Sequence, residues 1–158
     1  MTAGSNTAMT LVEMLLVMGL IALMAAVMIP AVEHSLRSRA NAACATKMRT
    51  AVQAFQLYAT ETGGYPPDQN VPGEQTVPKM ENYYFPYFKI DWWGDETELG
   101  GRWDWDAGYH GFAGSVSICQ PTVSEAQMQE FDRLIDDGNL AGGRFVKVDS
   151  QYHYILEE

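Results

Sequence analysis

The chain has 158 residues, of which 47% are apolar and 11% aromatic, and its net charge at pH 7 is −10. This composition excludes a fully disordered chain, and the presence of only two cysteines excludes a disulfide-dense scaffold. Residues 1–50 carry four basic and two acidic side chains, whereas residues 51–158 carry six basic and eighteen acidic ones. Because so acidic a segment repels phosphate backbones, no nucleic-acid partner is expected.

An apolar run lies near the N-terminus. Between Met9 and Val32 the only polar side chains are those of Thr10 and Glu13. A helix of this length crosses the hydrocarbon core of a bilayer, and no second such run follows, which excludes a multi-pass membrane protein. A carboxylate in lipid is costly unless it meets a cation, so Glu13 is predicted to be functional. Pro30 removes one helical hydrogen bond and predicts a kink.

The residues around this run resemble a known signal. Ala8 precedes Met9, and Glu13 and Pro30 are the fifth and twenty-second residues counted from Met9. This register resembles the class III signal of type IV pilins and of the pseudopilins of type II secretion systems, over about residues 8–62. Two departures are Ala8, where the family usually has glycine, and a leader without basic side chains.

The resemblance implies a maturation and assembly pathway. Residues 1–8 would be a leader peptide, which a prepilin peptidase removes before it methylates Met9. Residues 9–32 would span the inner membrane and then join a helical homopolymer outside the cytoplasm, in the periplasm or at the cell surface, with the help of an assembly machinery. Glu13 would pair with the amino terminus of Met9 on a neighbouring subunit and set the axial stagger between subunits.

The sequence pattern of residues 33–62 predicts an amphipathic continuation of the same helix. Apolar side chains recur at spacings of three and four, at Leu36, Ala40, Cys44, Met48, Val52, Phe55 and Ala59. Gly63 and Gly64, followed by two prolines after Tyr65, end the helix. The first part of the helix is therefore bare apolar surface, and the second part is expected to pack on a domain.

Residues 63–158 are expected to form a globular head, which the resemblance implies is pilin-like. A long loop over 65–98 precedes four strands, predicted at Gly101–Ala107, Phe112–Cys119, Arg144–Val148 and Tyr152–Leu156. A short helix over 124–136 separates the two strand pairs, with Ser124 as its N-cap and Gln127 completing a capping box. Its predicted inner face consists of Met128, Phe131, Leu134 and Ile135. The fold class is α+β, in which a long N-terminal helix, kinked near its proline, packs on a small antiparallel sheet.

The two cysteines, Cys44 and Cys119, lie far apart in the sequence. In a domain outside the cytoplasm they can form one disulfide that closes a long loop. The alternative is a pair of buried free thiols, since free cysteine is among the most buried residue types. The distance that decides between the two cannot be read from the sequence.

All four tryptophans lie within residues 92–105, where acidic side chains are also concentrated. The carboxylates are those of Asp91, Asp95, Glu96, Glu98, Asp104 and Asp106. Such hard oxygen donors suit calcium, and the resemblance adds that some secretion pseudopilins use calcium in this part of the fold. Two other interpretations are an aromatic platform for sugar rings and a strand with its tryptophans in the core and its aspartates in water.

No catalytic motif is present in the sequence. The three histidines lie at unrelated positions, and neither a GxSxG nor an HExxH, P-loop or GxGxxG pattern occurs. We therefore expect a protein that is not an enzyme and that needs no cofactor beyond the calcium ion considered above. The predicted function is a structural subunit of a type IV pilus-like or type II secretion pseudopilus filament. The alternative is a membrane-anchored extracytoplasmic binding domain that does not polymerise and that uses the tryptophan cluster to bind glycans.

Overall fold

The computed structural model describes residues 10–81 and 90–157. Its elements are helix α1 (Leu11–Thr62), strands β1 (Arg102–Asp106) and β2 (Gly114–Cys119), helix α2 (Glu125–Ile135), and strands β3 (Phe145–Val148) and β4 (Gln151–Glu157). The predicted α+β class is confirmed, because the long N-terminal helix packs on a small antiparallel sheet. The predicted processing residues Ala8 and Met9 lie outside the described residues.

The chain divides into two units, Met1–Ser38 and Arg39–Glu158. In the first unit, the described residues form the beginning of α1, which continues through Pro30. Every one of these residues is exposed. The kink at Pro30 stays a prediction.

The second unit contains the sheet and the rest of α1. The strand order is β1-β2-β4-β3, and all neighbouring strands are antiparallel. The α1 stripe predicted from periodicity is buried at Cys44, Met48, Val52 and Phe55. Its first predicted member, Leu36, is exposed and belongs to the first unit.

Aromatic rings form the core between α1 and the sheet. The ring of Phe55 stacks on Trp105 at a centroid distance of 3.8 Å, and Trp93 lies 5.7 Å from the same ring. Trp93 and Trp103 are stacked at 6.0 Å, and the indoles of Trp93, Trp103 and Trp105 are all fully buried. The predicted position of the strand tryptophans in the core is confirmed. These three indoles have no face open to solvent, whereas the fourth tryptophan, Trp92, is half-buried.

Helix α2 begins at its predicted N-cap, with the N–H of Gln127 donating to Ser124 Oγ at 3.3 Å. The predicted capping box is wrong, because the Gln127 side chain instead donates to Asn41 Oδ1 on α1 at 3.1 Å. Leu134, predicted on the inner face, is 47% exposed. Its carbonyl accepts a hydrogen bond from Arg49 Nη2 at 2.6 Å, so two polar contacts join α2 to α1.

Candidate functional site

The first candidate site is the apolar surface of α1 in the first unit. Every large apolar side chain from Leu11 to Leu36 is exposed, by 40% at Val17 and up to 76% at Leu11. In the described part of the chain, α1 is the one helix long and apolar enough to cross a membrane. A contiguous surface of this kind is unfavourable in water, and contact with lipid or with protein relieves that cost.

Glu13 has a local partner at the start of α1. Its Oε2 accepts hydrogen bonds from the N–H and from the hydroxyl of Thr10, each at 2.8 Å, and its own N–H donates to Thr10 Oγ1 at 3.3 Å. This is a reciprocal capping box, which satisfies backbone donors that a helix start leaves open. The T-x-x-E spacing before an apolar run is the usual sequence signal of such a box, although it was not predicted above.

The two cysteines are both buried free thiols in the described structure. Cys44 belongs to the core between α1 and the sheet, whereas Cys119 shares the opposite face of the sheet with Ser117 and Asp104. Of the two alternatives that the sequence left open, the structure has the buried free thiols, because the two cysteines lie on opposite faces of the sheet. Burial raises the pKa of the Cys44 thiol, and it raises the pKa of Cys119 to about 12, so both stay protonated and unreactive at neutral pH.

The six acidic residues predicted to bind calcium do not form one site. Glu98 pairs with Lys47, whose Nζ lies 2.6 Å from Glu98 Oε1 and 5.2 Å from the centre of the Trp92 ring. Three others are exposed, namely Asp91, Asp95 and Glu96. The last two, Asp104 and Asp106, point to the face of β1 opposite its tryptophans. These six residues are thus divided among an ion pair, open surface and a buried strand face.

Asp104 and Asp106 were expected in water, and that prediction is wrong. They are only 4% and 8% exposed, and both contact polar groups on the neighbouring strand. Asp106 Oδ2 accepts a hydrogen bond from Ser117 Oγ at 2.8 Å and lies 3.4 Å from His153 Nδ1. Asp104 Oδ2 accepts a hydrogen bond from the thiol of Cys119, at an S···O distance of 3.5 Å. We call this buried polar face, made of Asp104, Asp106, Ser117, Cys119 and His153, the polar sheet face.

The electrostatics of the polar sheet face favour a bound proton. Burial, and then the charge of Asp106, raise the pKa of Asp104 from 3.8 to about 7. Burial also raises the pKa of Asp68, which lines the same open cavity of about 250 Å³ as Asp104, Asp106 and His110. The alternation of tryptophans and aspartates along β1 indicates that the strand has two faces, but it does not reveal what covers the polar face. The buried cluster of polar groups could therefore not be predicted from the sequence.

Comparison of the chain with protein-family models, with curated proteins and with solved structures finds no match. The polar sheet face offers buried hydrogen bonds and an acid that is partly protonated near neutral pH. Burial raises the pKa of its one thiol, that of Cys119, and a thiol that stays protonated is a poor nucleophile. The exposed apolar surface of α1 is the feature with the clearest functional consequence.

Proposed function

We propose that this chain is a structural subunit of a type IV pilus-like or type II secretion pseudopilus filament. One observation carries the proposal: the exposed apolar surface that runs from Leu11 to Leu36 on a helix whose later residues belong to the core of the second unit. Such a surface is stable in a bilayer as a monomer, or among copies of itself in a polymer. The subunit would be held in the inner membrane before assembly and in an extracytoplasmic filament afterwards.

The predicted register of processing adds a role for Glu13. Cleavage between Ala8 and Met9 by a prepilin peptidase would create a cationic amino terminus four residues before the carboxylate. In a filament, the amino terminus of one subunit would meet Glu13 of the next, and pairing would offset the cost of a carboxylate among apolar helices. Thr10 supplies hydrogen bonds to the same carboxylate within one chain, at 2.8 Å. The capping role and the pairing role of Glu13 therefore have to be separated by experiment.

Three substitutions distinguish the capping role of Glu13 from its pairing role. Glu13→Gln keeps an oxygen that can accept the Thr10 hydrogen bonds but removes the charge. Thr10→Val removes the hydroxyl and keeps the charge. Glu33→Gln is the matched control, because it removes an exposed carboxylate later on the same helix.

Each variant is expressed together with the assembly machinery of its host, and sheared filaments are quantified against the amount of chain in the membrane fraction. We expect Glu13→Gln to lower the filament fraction by about tenfold or more, which corresponds to roughly 1.4 kcal/mol per tenfold step. Thr10→Val and Glu33→Gln should stay within about twofold of the wild type, because an exposed cap or carboxylate contributes only about 1 kcal/mol or less. Filaments formed equally well by Glu13→Gln would refute the pairing role.

The N-terminal sequence and intact mass of the wild-type chain test processing directly. A chain that begins at methylated Met9 supports the filament proposal. A wild-type chain that stays in the membrane fraction, begins at Met1 and never polymerises would overturn it in favour of a membrane-anchored domain. Three of the four tryptophans that the sequence suggested for a sugar platform are buried, and Trp92 is half-buried.

A further inference from the structure

An open cavity of about 250 Å³ lies beside the polar sheet face, in the second unit. The carboxylates of Asp68, Asp104 and Asp106 line it, and no lysine or arginine among the described residues does. The charges that act on Asp104 are the negative charges of Asp106 and Asp68, with no cation among them. We call this feature the acidic cavity.

Hydrogen bonds to β1 hold the acidic cavity in shape. The N–H of Gln69 donates to the carbonyl of Trp105 at 3.0 Å, and Asp68 Oδ1 accepts the N–H of Ala107 at 3.0 Å. The segment that carries Asp68 therefore lies against the strand that carries the other two carboxylates. A cavity that is formed in advance in this way loses little conformational entropy when it binds a ligand.

Two buried acceptors at the acidic cavity have no donor. Gln151 lines the cavity, and its Oε1 is buried without a hydrogen-bond partner among the described residues. His153 is fully buried and contacts two lining residues, since its Nδ1 lies 3.4 Å from Asp106 Oδ2 and its ring centre 5.1 Å from that of His110. A hydrogen on Nδ1 faces the carboxylate and leaves Nε2, which also has no partner in the described structure, as an acceptor. Because an unpaired buried acceptor is costly, both atoms indicate a ligand that donates hydrogen bonds.

An exposed apolar rim borders the same cavity. Among the described residues of the second unit, three large apolar side chains are exposed, those of Val71, Tyr109 and Leu134. Tyr109, which is 57% exposed, lines the cavity, and Val71, which is 53% exposed, lies between two residues that line it. Exposed apolar side chains around a polar pocket are typical of a surface that binds another protein.

We propose that the acidic cavity binds the guanidinium group of an arginine side chain on a partner protein. A guanidinium carries five N–H donors in a planar fork, which can reach carboxylates and neutral acceptors at the same time. Its plane can stack on Tyr109 and His110, while the aliphatic stem of the arginine lies along the apolar rim. All of these residues belong to the second unit, so the proposal does not depend on whether the chain polymerises.

A lysine or a metal ion fits the acidic cavity less well. An ammonium group is a compact point charge, whereas the acceptors are spread over β1, β4 and the segment that carries Asp68. The acceptors are also spread more widely than one metal ion requires. The one group of three described side chains with ligand atoms within 4.8 Å of one another lies elsewhere in the fold, at the end of α2. The spacing therefore favours a large, planar cation.

The test uses the ¹⁵N-labelled full chain in detergent micelles, in a low-salt buffer that contains a chelator so that no metal ion competes. N-acetyl-arginine amide is titrated while the backbone amide signals of Tyr109, His110 and Gln151 are followed by NMR. The citrulline analogue, which is nearly isosteric but uncharged, and the lysine analogue are the matched ligands. We expect saturable shifts with the arginine ligand, and a dissociation constant at least about tenfold higher for citrulline and about threefold higher for lysine.

A tripeptide tests whether the rim is used. In acetyl-Leu-Arg-Leu-amide the apolar side chains beside the arginine can contact Val71 and Tyr109. We expect it to bind at least about threefold more tightly than N-acetyl-arginine amide, because it removes more apolar surface from water.

Three variants locate the site. Asp68→Asn removes one charge but keeps the acceptor for Ala107, and it should raise the dissociation constant of the arginine ligand at least about fivefold. Tyr109→Ala removes an exposed side chain of the rim and should raise this constant by about two- to fivefold. Asp149→Asn, which changes an exposed aspartate on the turn between β3 and β4, is the matched control and should bind like the wild type.

Three results would overturn the proposal. The first is a wild-type chain that shows no saturable shift up to about 50 mM arginine ligand. The second is binding that the citrulline or lysine ligand matches, or that persists unchanged in both Asp68→Asn and Tyr109→Ala. The third is a tripeptide that binds no more tightly than the amide, which would show that the rim does not hold a partner protein.

Discussion

Replacing Asp104 with asparagine tests whether the polar sheet face holds a carboxyl group that resists ionisation. Burial is the main cause of its raised pKa and the charge of Asp106 is the second, while hydrogen bonds from Cys119 and from the N–H of Trp105 act in the opposite direction. Asp68, on the segment beside β1, raises the pKa further. The folded chain therefore binds this proton more tightly than the unfolded chain does.

The sign and size of the pH effect follow from these values. The pKa rises from 3.8 in the unfolded chain to about 7 in the folded one, so the stabilisation is complete below about pH 4 and is lost as the pH rises through 7. A difference of this size corresponds to roughly 4 kcal/mol at pH 8. Asp104 lines a cavity that is open to solvent, so screening lowers this figure and it is an upper bound. Asparagine is neutral at every pH and nearly isosteric, so Asp104→Asn should lack this dependence.

Urea unfolding of the full chain in detergent, followed by tryptophan fluorescence between pH 4 and pH 8, measures the effect. We expect Asp104→Asn to be more stable than the wild type at pH 8 and to differ little from it at pH 4. The exposed Asp149→Asn should follow the wild type at every pH. If Asp104→Asn were equally destabilised at both ends of this range, the side chain would act through its hydrogen bonds and the electrostatic argument would be refuted.

Three further substitutions test the aromatic core, a backbone position with positive φ, and the N-cap of α2. Phe55→Ala removes the ring stacked on Trp105 and should cost about 3–5 kcal/mol, measured as a loss of Tm. Gly101→Ala places a side chain at a φ of +77° against the carbonyl of Cys119, and it should lower the urea midpoint by the equivalent of about 1–3 kcal/mol. Ser124→Ala removes the N-cap of α2 and should cost about 1 kcal/mol in the same assay.

Much of the fold could be predicted from local patterns. The apolar residues at spacings of three and four correctly predicted the buried face of α1. The pair Gly63 and Gly64 correctly predicted the end of the helix, where Gly63 has a φ of +82°. Alternation along β1 placed Trp103 and Trp105 in the core. These elements depend on interactions between residues close in the chain, which is why the sequence alone reveals them.

The missed features depend on contacts between residues far apart in the chain. The N–H groups of Gln69 and Gly73 donate to the carbonyls of Trp105 and Trp103, so an irregular segment runs beside β1. Nothing in the local sequence predicts that path or the burial of the aspartates on the other face of β1. Gln127 likewise leaves the local capping box for Asn41, which is 86 positions away.

In the proposed filament, charge opposes assembly and apolar burial favours it. Residues 51–158 carry eighteen acidic and six basic side chains, so heads placed side by side repel each other. Salt screens this repulsion within about 10 Å at 0.1 M. The apolar surface from Leu11 to Leu36 gains close packing wherever copies of the helix touch. Cohesion of the proposed filament must therefore come from the helices.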